Sequence, residues 1–258
     1  MSASHIAVLG AIAGFTIFLG LPVGRLRAPA PRLRALLNAG AIGVLVFLLW
    51  DILAHAWEPI DGALADHHYG PATGQGLVLA LGMGVGLLGL VYFDRWVARR
   101  RAGGAGHPAT QLALLIAVGI GLHNFAEGLA IGNSAAQGEM ALALLLIVGF
   151  GLHNATEGFG IVAPMAAAGT RPSWGYLALL GLIGGGPTFL GTLVGQRFTN
   201  ETVSIAFLAL AAGSILYVVI ELLAVGRKMA AKEITTWGIV AGLLAGFATD
   251  AILVVGGA

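Results

Sequence analysis

The chain has 258 residues, of which 58% are hydrophobic and only 10% are charged, with a formal net charge of +1. A soluble domain carries about a quarter charged residues, so this composition excludes a water-facing surface and makes lipid the expected solvent. The near-neutral charge gives no indication of a nucleic-acid partner, and we expect none. Because the chain has no cysteine, disulfides are excluded and any metal site must use nitrogen and oxygen ligands.

Eight apolar segments follow one another along the chain, each long enough for the roughly 20 residues that a helix needs to cross a bilayer. We therefore predict an all-α fold, a polytopic membrane bundle of eight transmembrane helices that forms a single domain over residues 1–258. The expected spans are 5–24, 35–57, 75–97, 110–133, 140–163, 174–196, 202–225 and 234–255. A signal peptide carries its positive charges before its apolar stretch, whereas here arginines follow the first segment, which we therefore keep as a helix.

The basic residues alternate between the loops. Of the 13 lysines and arginines, 12 fall in the first, third, fifth and seventh loops: Arg25, Arg27, Arg32, Arg34, Arg95, Arg99, Arg100, Arg101, Arg171, Arg227, Lys228 and Lys232. Loops rich in lysine and arginine stay on the cytoplasmic side of a membrane. We therefore expect both termini outside, and a multi-pass protein integral to a bacterial-type inner (plasma) membrane.

One motif, G-L-H-N-x-x-E-G, occurs in both the fourth and the fifth predicted spans, with its two copies thirty residues apart. Its polar residues are His123, Asn124, Glu127, His153, Asn154 and Glu157. The histidine and the glutamate of each copy are four residues apart and so project from one face of a helix, with the asparagine beside them. Because each histidine lies about thirteen residues into its span and the two helices are antiparallel, both copies should lie at the same depth.

Ionisable side chains inside a bilayer cost several kcal/mol each, so they pair, bind ions or line water. The motifs could form two His–Glu hydrogen bonds that join the helices, but two desolvated carboxylates at short range repel each other. A divalent cation between Glu127 and Glu157 would remove that conflict. Imidazole with carboxylate suits zinc, ferrous iron, manganese or cobalt. The sequence thus indicates a metal site, in which the ion is either cargo or catalyst.

At these motifs, above all in the string HNFAEGLAIG, the chain resembles the ZIP (Zrt- and Irt-like) family of metal transporters. The resemblance covers nearly the whole length and implies eight spans with outside termini. It also implies transport of a divalent transition metal ion into the cytoplasm by alternating access, in which a mobile bundle slides against a dimerising scaffold, so that a homodimer is expected. Zinc is the expected substrate, with iron, manganese and cadmium as alternatives.

The resemblance also assigns roles to the motif residues. It implies that His123, Glu127, His153 and Glu157 form the principal transport site. Asn124 and Asn154 would form a neighbouring second site, with the two glutamates bridging both.

The sixth span departs from the family pattern. Where members commonly have Glu-Pro, with the glutamate completing the second metal site, this chain has Gly186 before Pro187. We therefore expect one-metal transport or an altered selectivity. Pro187 removes a backbone donor and should kink the helix near the middle of the membrane.

Four further residues are candidates for the access and release path. Asp51, His55 and Glu58 share one face of the second span, which leads to the outer mouth, although an ordinary solvated helix end would give the same pattern. Glu221, near the inner end of the seventh span, resembles an acidic family position on the release path, but it could equally be a surface residue that reaches toward water.

Two other functions would use a similar cluster. A membrane-embedded metal-dependent enzyme is the first, but the zinc protease motif H-E-x-x-H is absent, the Glu-x-x-His spacing of di-iron bundles differs, and no nucleophile is evident. We therefore predict that the protein is not an enzyme. A passive metal channel would need the same ligands, and only transport kinetics separate it from a carrier.

Overall fold

The computed structural model describes residues 2–25, 31–102, 109–167, 169–228 and 232–255. Helices account for almost all of them, and no strand occurs in these ranges. The helices are α1 Ala3–Phe15, α2 Ile17–Gly20, a 3-10 helix Leu21–Arg25, α3 Pro31–Ala65, α4 Tyr69–Ala102, α5 Ala109–Gln137, α6 Met140–Ala167, α7 Trp174–Gly195, α8 Glu201–Lys228 and α9 Lys232–Val255. Arg27 of the predicted first loop lies outside the described residues.

Within the described ranges, eight helical segments are long and apolar enough to cross a membrane, which confirms the predicted eight-span, all-helical fold. The first segment combines α1, α2 and the 3-10 helix. Most helices extend beyond their predicted spans, and α3 and α4 do so most, since α3 continues to Ala65 and α4 already begins at Tyr69. Hydrophobicity marks only the part of a helix that lies in lipid, so polar turns beyond the bilayer are missed.

The regular pattern of the first span is interrupted at one residue, Thr16, whose backbone stays in the right-handed helical region, and the sequence did not predict this interruption. α1 ends at Phe15, and the hydroxyl of Thr16 donates to the carbonyl oxygen of Ala13 at 2.7 Å. Hydroxyl groups that bond back to the preceding turn bend helices and compete with their regular hydrogen bonds. The chain then resumes as α2 at Ile17.

The helices pack as two groups. We call α1, α2, α5, α6 and α7 the motif bundle, because α5 and α6 carry the repeated motif, and α3, α4, α8 and α9 the companion bundle. One apolar core lies wholly inside the motif bundle, around Ile17, Ile161 and Leu180. A larger core joins α3 and α8 of the companion bundle to the facing parts of α5 and α6.

Inside each group, glycines let helices touch backbone to backbone. A Cβ atom at Gly128 of α5 would collide with the carbonyl oxygen of Thr188 in α7. One at Gly86 of α4 would collide with the carbonyl oxygen of Leu210 in α8. Small residues at helix interfaces allow this close approach in membranes, where van der Waals packing has to replace the hydrophobic effect.

Between the two groups, the corresponding glycines face side chains instead. Gly149 of α6 lies against the side chain of Leu48 in α3, and Gly119 of α5 lies against the ring of Phe93 in α4. Side chains can change rotamer, whereas a backbone carbonyl in a helix cannot move aside. At these positions, the contact within each group is with a fixed backbone and the contact between the groups is with a side chain.

Candidate metal centre

The two copies of the motif lie at the midpoints of their helices. His123 is fourteen residues from each end of α5, and His153 is thirteen residues from the start of α6 and fourteen from its end. At 1.5 Å per residue, each histidine is about 20 Å from either helix end. Both copies therefore lie deep in the bundle and at similar depth, as their spacing predicted.

Glu157 lies between the two imidazole rings. Its Oε1 atom is 2.7 Å from Nε2 of His123 and 3.0 Å from Nε2 of His153. The ring centroids of the histidines are 6.0 Å apart, and all three side chains are buried. The contact to His153 stays within one helix turn of α6, whereas the contact to His123 joins α6 to α5.

Glu127 completes the cluster from α5. It is 0% exposed, and neither of its carboxylate oxygens accepts a hydrogen bond from any residue that the structure describes. A carboxylate oxygen of Glu127 and one ring nitrogen each of His123 and His153 lie within 4.8 Å of one another. A buried carboxylate without a donor is costly, so this arrangement is suited to a cation held by both imidazoles and the carboxylate.

The two asparagines donate hydrogen bonds to backbone carbonyl groups of neighbouring helices. Asn124 donates its side-chain N–H to the carbonyl oxygen of Gly184 at 2.9 Å, three residues before Pro187, and lies 3.4 Å from Oε2 of Glu157. Asn154 donates to the carbonyl oxygen of Ala13 at 3.0 Å, beside the break in the first span. The amide nitrogens therefore attach α5 to α7 and α6 to α1.

These hydrogen bonds also orient the carboxamide oxygens. Because the nitrogen of each amide faces a carbonyl group, the Oδ1 atom must point the other way. The Oδ1 atoms of Asn124 and Asn154 are buried and accept no hydrogen bond from the described residues. Neither oxygen has a donor within the described ranges, so both could bind a cation. The sequence did not reveal the part played by the carbonyl groups of Ala13 and Gly184, because backbone atoms carry no residue-type signal.

Gly186 adjoins open space. A Cβ atom built there would meet no atom within 4 Å, in contrast to Gly184 and Gly185, which pack tightly against α2, α1 and their neighbours. Packing therefore does not require glycine at this position. Gly186 contributes no carboxylate to the cluster, as expected from the sequence.

The other candidate residues lie away from this cluster. On α3, Asp51 is buried, His55 is half-buried and Glu58 is exposed, so exposure rises along the face that these residues share. Glu221 is exposed on α8, seven residues before that helix ends. None of the four belongs to the group of ligand atoms around Glu127.

Comparison with known proteins agrees with the motifs. The model of the family described as ZIP zinc transporter matches residues 100–253, which is more than half of the chain and includes both motifs and Pro187. A search among curated proteins finds no match to the chain.

Proposed function

Because this chain belongs to the ZIP zinc transporter family, and so to a family of divalent metal transporters, we propose that it carries zinc into the cytoplasm through the cluster of His123, Glu127, His153 and Glu157. The observation that carries the proposal is Glu127, a fully buried carboxylate with no hydrogen-bond donor among the described residues. A second carboxylate, Glu157, lies on the same two histidines. Two adjacent carboxylates at the centre of a membrane bundle balance the charge of one divalent ion.

The donor set favours zinc over the alternatives. Two imidazole nitrogens and two carboxylates suit zinc, iron, manganese and cadmium by ligand type. For a given nitrogen and oxygen site, affinity rises from manganese through iron toward zinc. We expect zinc to be preferred, with iron, manganese and cadmium as weaker substrates.

One tight ion per protomer fits this site better than two. Asn124 and Asn154 have an oxygen each to offer a second ion, but Gly186 supplies no side chain where the family commonly has a glutamate. A second ion would therefore share the same two carboxylates with the first. Repulsion between two dications a few ångströms apart opposes this at low dielectric.

Alternating access is the transport mechanism that we propose. Backbone contacts at glycines such as Gly128 support a motif bundle that moves as a unit, and Gly119 and Gly149, where it meets the companion bundle, face side chains. The motif bundle could therefore slide against the companion bundle and carry the ion with it. Asp51, His55 and Glu58 would guide the ion in from outside, and Glu221 would lie on the release side.

Uptake into liposomes tests this function. Purified protein reconstituted with a metal-sensitive dye inside should give zinc uptake that saturates with concentration, as expected for a carrier. Glu139→Gln, which changes an exposed carboxylate between α5 and α6, serves as a control and should transport like the original protein. Uptake that stays linear with concentration would favour a channel. Folded protein that moves none of zinc, iron, manganese and cadmium would refute the proposal.

A further inference from the structure

α3 and α9 lie side by side and run in the same direction, in a register that repeats every four residues. Successive contacting pairs are Ala39 with Gly238, Gly43 with Gly242, and Phe47 with Gly246. The next pair in this register is Asp51 with Asp250. Two carboxylates are thus brought to the same level of one helix interface, within segments apolar enough to cross a membrane.

Asp51 is buried, and one oxygen of its carboxylate has no hydrogen-bond donor in the described ranges. Its side chain is 9% exposed, and its Oδ2 atom accepts no hydrogen bond from the part of the chain that the structure describes. Asp250 is close enough for its charge to act on Asp51. A desolvated carboxylate next to a second one is costly in a membrane, and a cation between them removes both the repulsion and the unmet hydrogen-bonding demand.

His55 adds a nitrogen ligand one turn farther along α3. Its Nδ1 atom lies 2.9 Å from the backbone carbonyl oxygen of Asp51 and 3.7 Å from Oδ2 of the same residue. An imidazole that donates from Nδ1 to a carbonyl group keeps the lone pair of Nε2 for a metal. The side chain is 35% exposed, so it has room to turn toward an ion.

An aromatic group closes the interface on the other side of the carboxylates. Phe47, Trp50 and Phe247 contact one another, with ring centroids 4.8 to 5.9 Å apart. Phe47 and Phe247 lie about one turn from Asp51 and Asp250, toward the start of each helix. A cation held by the carboxylates would meet these aromatic rings along the interface between α3 and α9, so we expect it to leave sideways.

The motif bundle lies in that sideways direction. Leu48 of α3 packs against Gly149 of α6, four residues from His153. Asp51 lies three residues from Leu48, and His153 lies four residues from Gly149 in the opposite direction along the bundle. Asp51 and His153 are therefore separated by about seven residues, or about 10 Å, along the bundle. This distance fits two successive binding positions for one ion.

We propose that Asp51, Asp250 and His55 form a second cation site, in the companion bundle, which receives a divalent transition metal ion before it reaches the motif cluster. The proposal rests on the proposed transport function. The ligand atoms of these residues are not gathered within 4.8 Å as those of His123, Glu127 and His153 are, so water must complete the coordination and binding is weaker. Weak binding suits a site that has to pass its ion onward.

Equilibrium dialysis with zinc tests the site directly. The Glu127→Gln/Glu157→Gln protein, whose motif cluster has lost its negative charge, should still bind one zinc ion, at least about tenfold more weakly than the original protein binds its tight ion. Adding Asp51→Asn and Asp250→Asn should abolish this binding, whereas adding Glu139→Gln should not. No zinc binding by the folded Glu127→Gln/Glu157→Gln protein, or binding unaffected by the aspartate changes, overturns the proposal. If the four-residue variant does not fold, Asp250→Asn, at a half-buried position, is the only change added to the Glu127→Gln/Glu157→Gln protein. It should weaken the zinc binding of that protein, and an unchanged affinity overturns the proposal.

Transport measurements test the second cation site separately from the proposed transport function. In liposomes, Asp51→Asn/Asp250→Asn should raise the zinc concentration for half-maximal uptake by about tenfold and leave the maximal rate within about twofold, because negative charge at an entrance concentrates cations. An unchanged half-maximal concentration contradicts the receiving role of the site. Original protein that binds zinc at the aspartates but transports no metal would instead refute the proposed function.

Discussion

At the scale of single residues, the carboxylates, imidazoles and carboxamides of the site differ in the contacts that each makes with the rest of the protein. Glu157 contacts the two histidines and, at 3.4 Å, the side-chain nitrogen of Asn124, and Glu127 has no donor in the described ranges. The asparagines, in contrast, are already bonded through nitrogen to the carbonyl groups of Gly184 and Ala13. The glutamates therefore depend on the metal most, and the asparagines least.

We predict that alanine substitutions follow this order. Glu127→Ala and Glu157→Ala should abolish zinc uptake, because the remaining ligands lack negative charge at low dielectric. His123→Ala and His153→Ala should nearly abolish it, and Asn124→Ala and Asn154→Ala should only lower the rate or change metal preference. Zinc binding at the motif cluster, measured by equilibrium dialysis, should fall in the same order. Asparagine variants as inactive as the glutamate variants would show that a second ion at the cluster is required, despite Gly186.

At the scale of helices, glycine contacts decide how closely neighbours approach. Gly128→Ala should lower the melting temperature by several degrees, because its Cβ atom would collide with the backbone of α7. Gly84→Ala in α4 is the matched control, since a Cβ atom there meets nothing within 4 Å. Alanine is favoured over glycine inside a helix by about 0.5–1 kcal/mol, so this control should be unchanged or more stable. Thermal unfolding in detergent, followed by tryptophan fluorescence, would measure both, and equal losses would contradict the packing described.

The sequence predicted the helices and the motif positions better than it predicted interruptions within helices and contacts between distant helices. Apolar length identified all eight spans, and the repeated spacing placed His123 and His153 at one depth, because both depend on local pattern alone. The break at Thr16 was missed, since a threonine inside an apolar segment has no distinctive pattern. Asp250 could not be assigned either, because its relation to Asp51 depends on the register of two helices almost two hundred residues apart in the chain.

At the scale of the whole molecule, the distribution of basic residues predicts which face is cytoplasmic. Single cysteines are easily introduced because the chain has none. In intact cells, a membrane-impermeant thiol reagent should label Gln137→Cys, at the end of α5, and should not label Arg100→Cys until the membrane is opened. Labelling of position 100 from outside would contradict the predicted orientation.

The midpoint position of the histidines in α5 and α6 has an electrical consequence. A dication that travels from the outer surface to the middle of the bilayer crosses about half of the membrane voltage, which is equivalent to moving one elementary charge across all of it. That work is about 2.3 kcal/mol per 100 mV. An inside-negative potential of this size should therefore strengthen the apparent affinity for external zinc by more than about tenfold. Uptake into liposomes held at set potassium diffusion potentials would measure this, and a half-maximal concentration independent of voltage would show that the ion reaches its ligands without crossing the field.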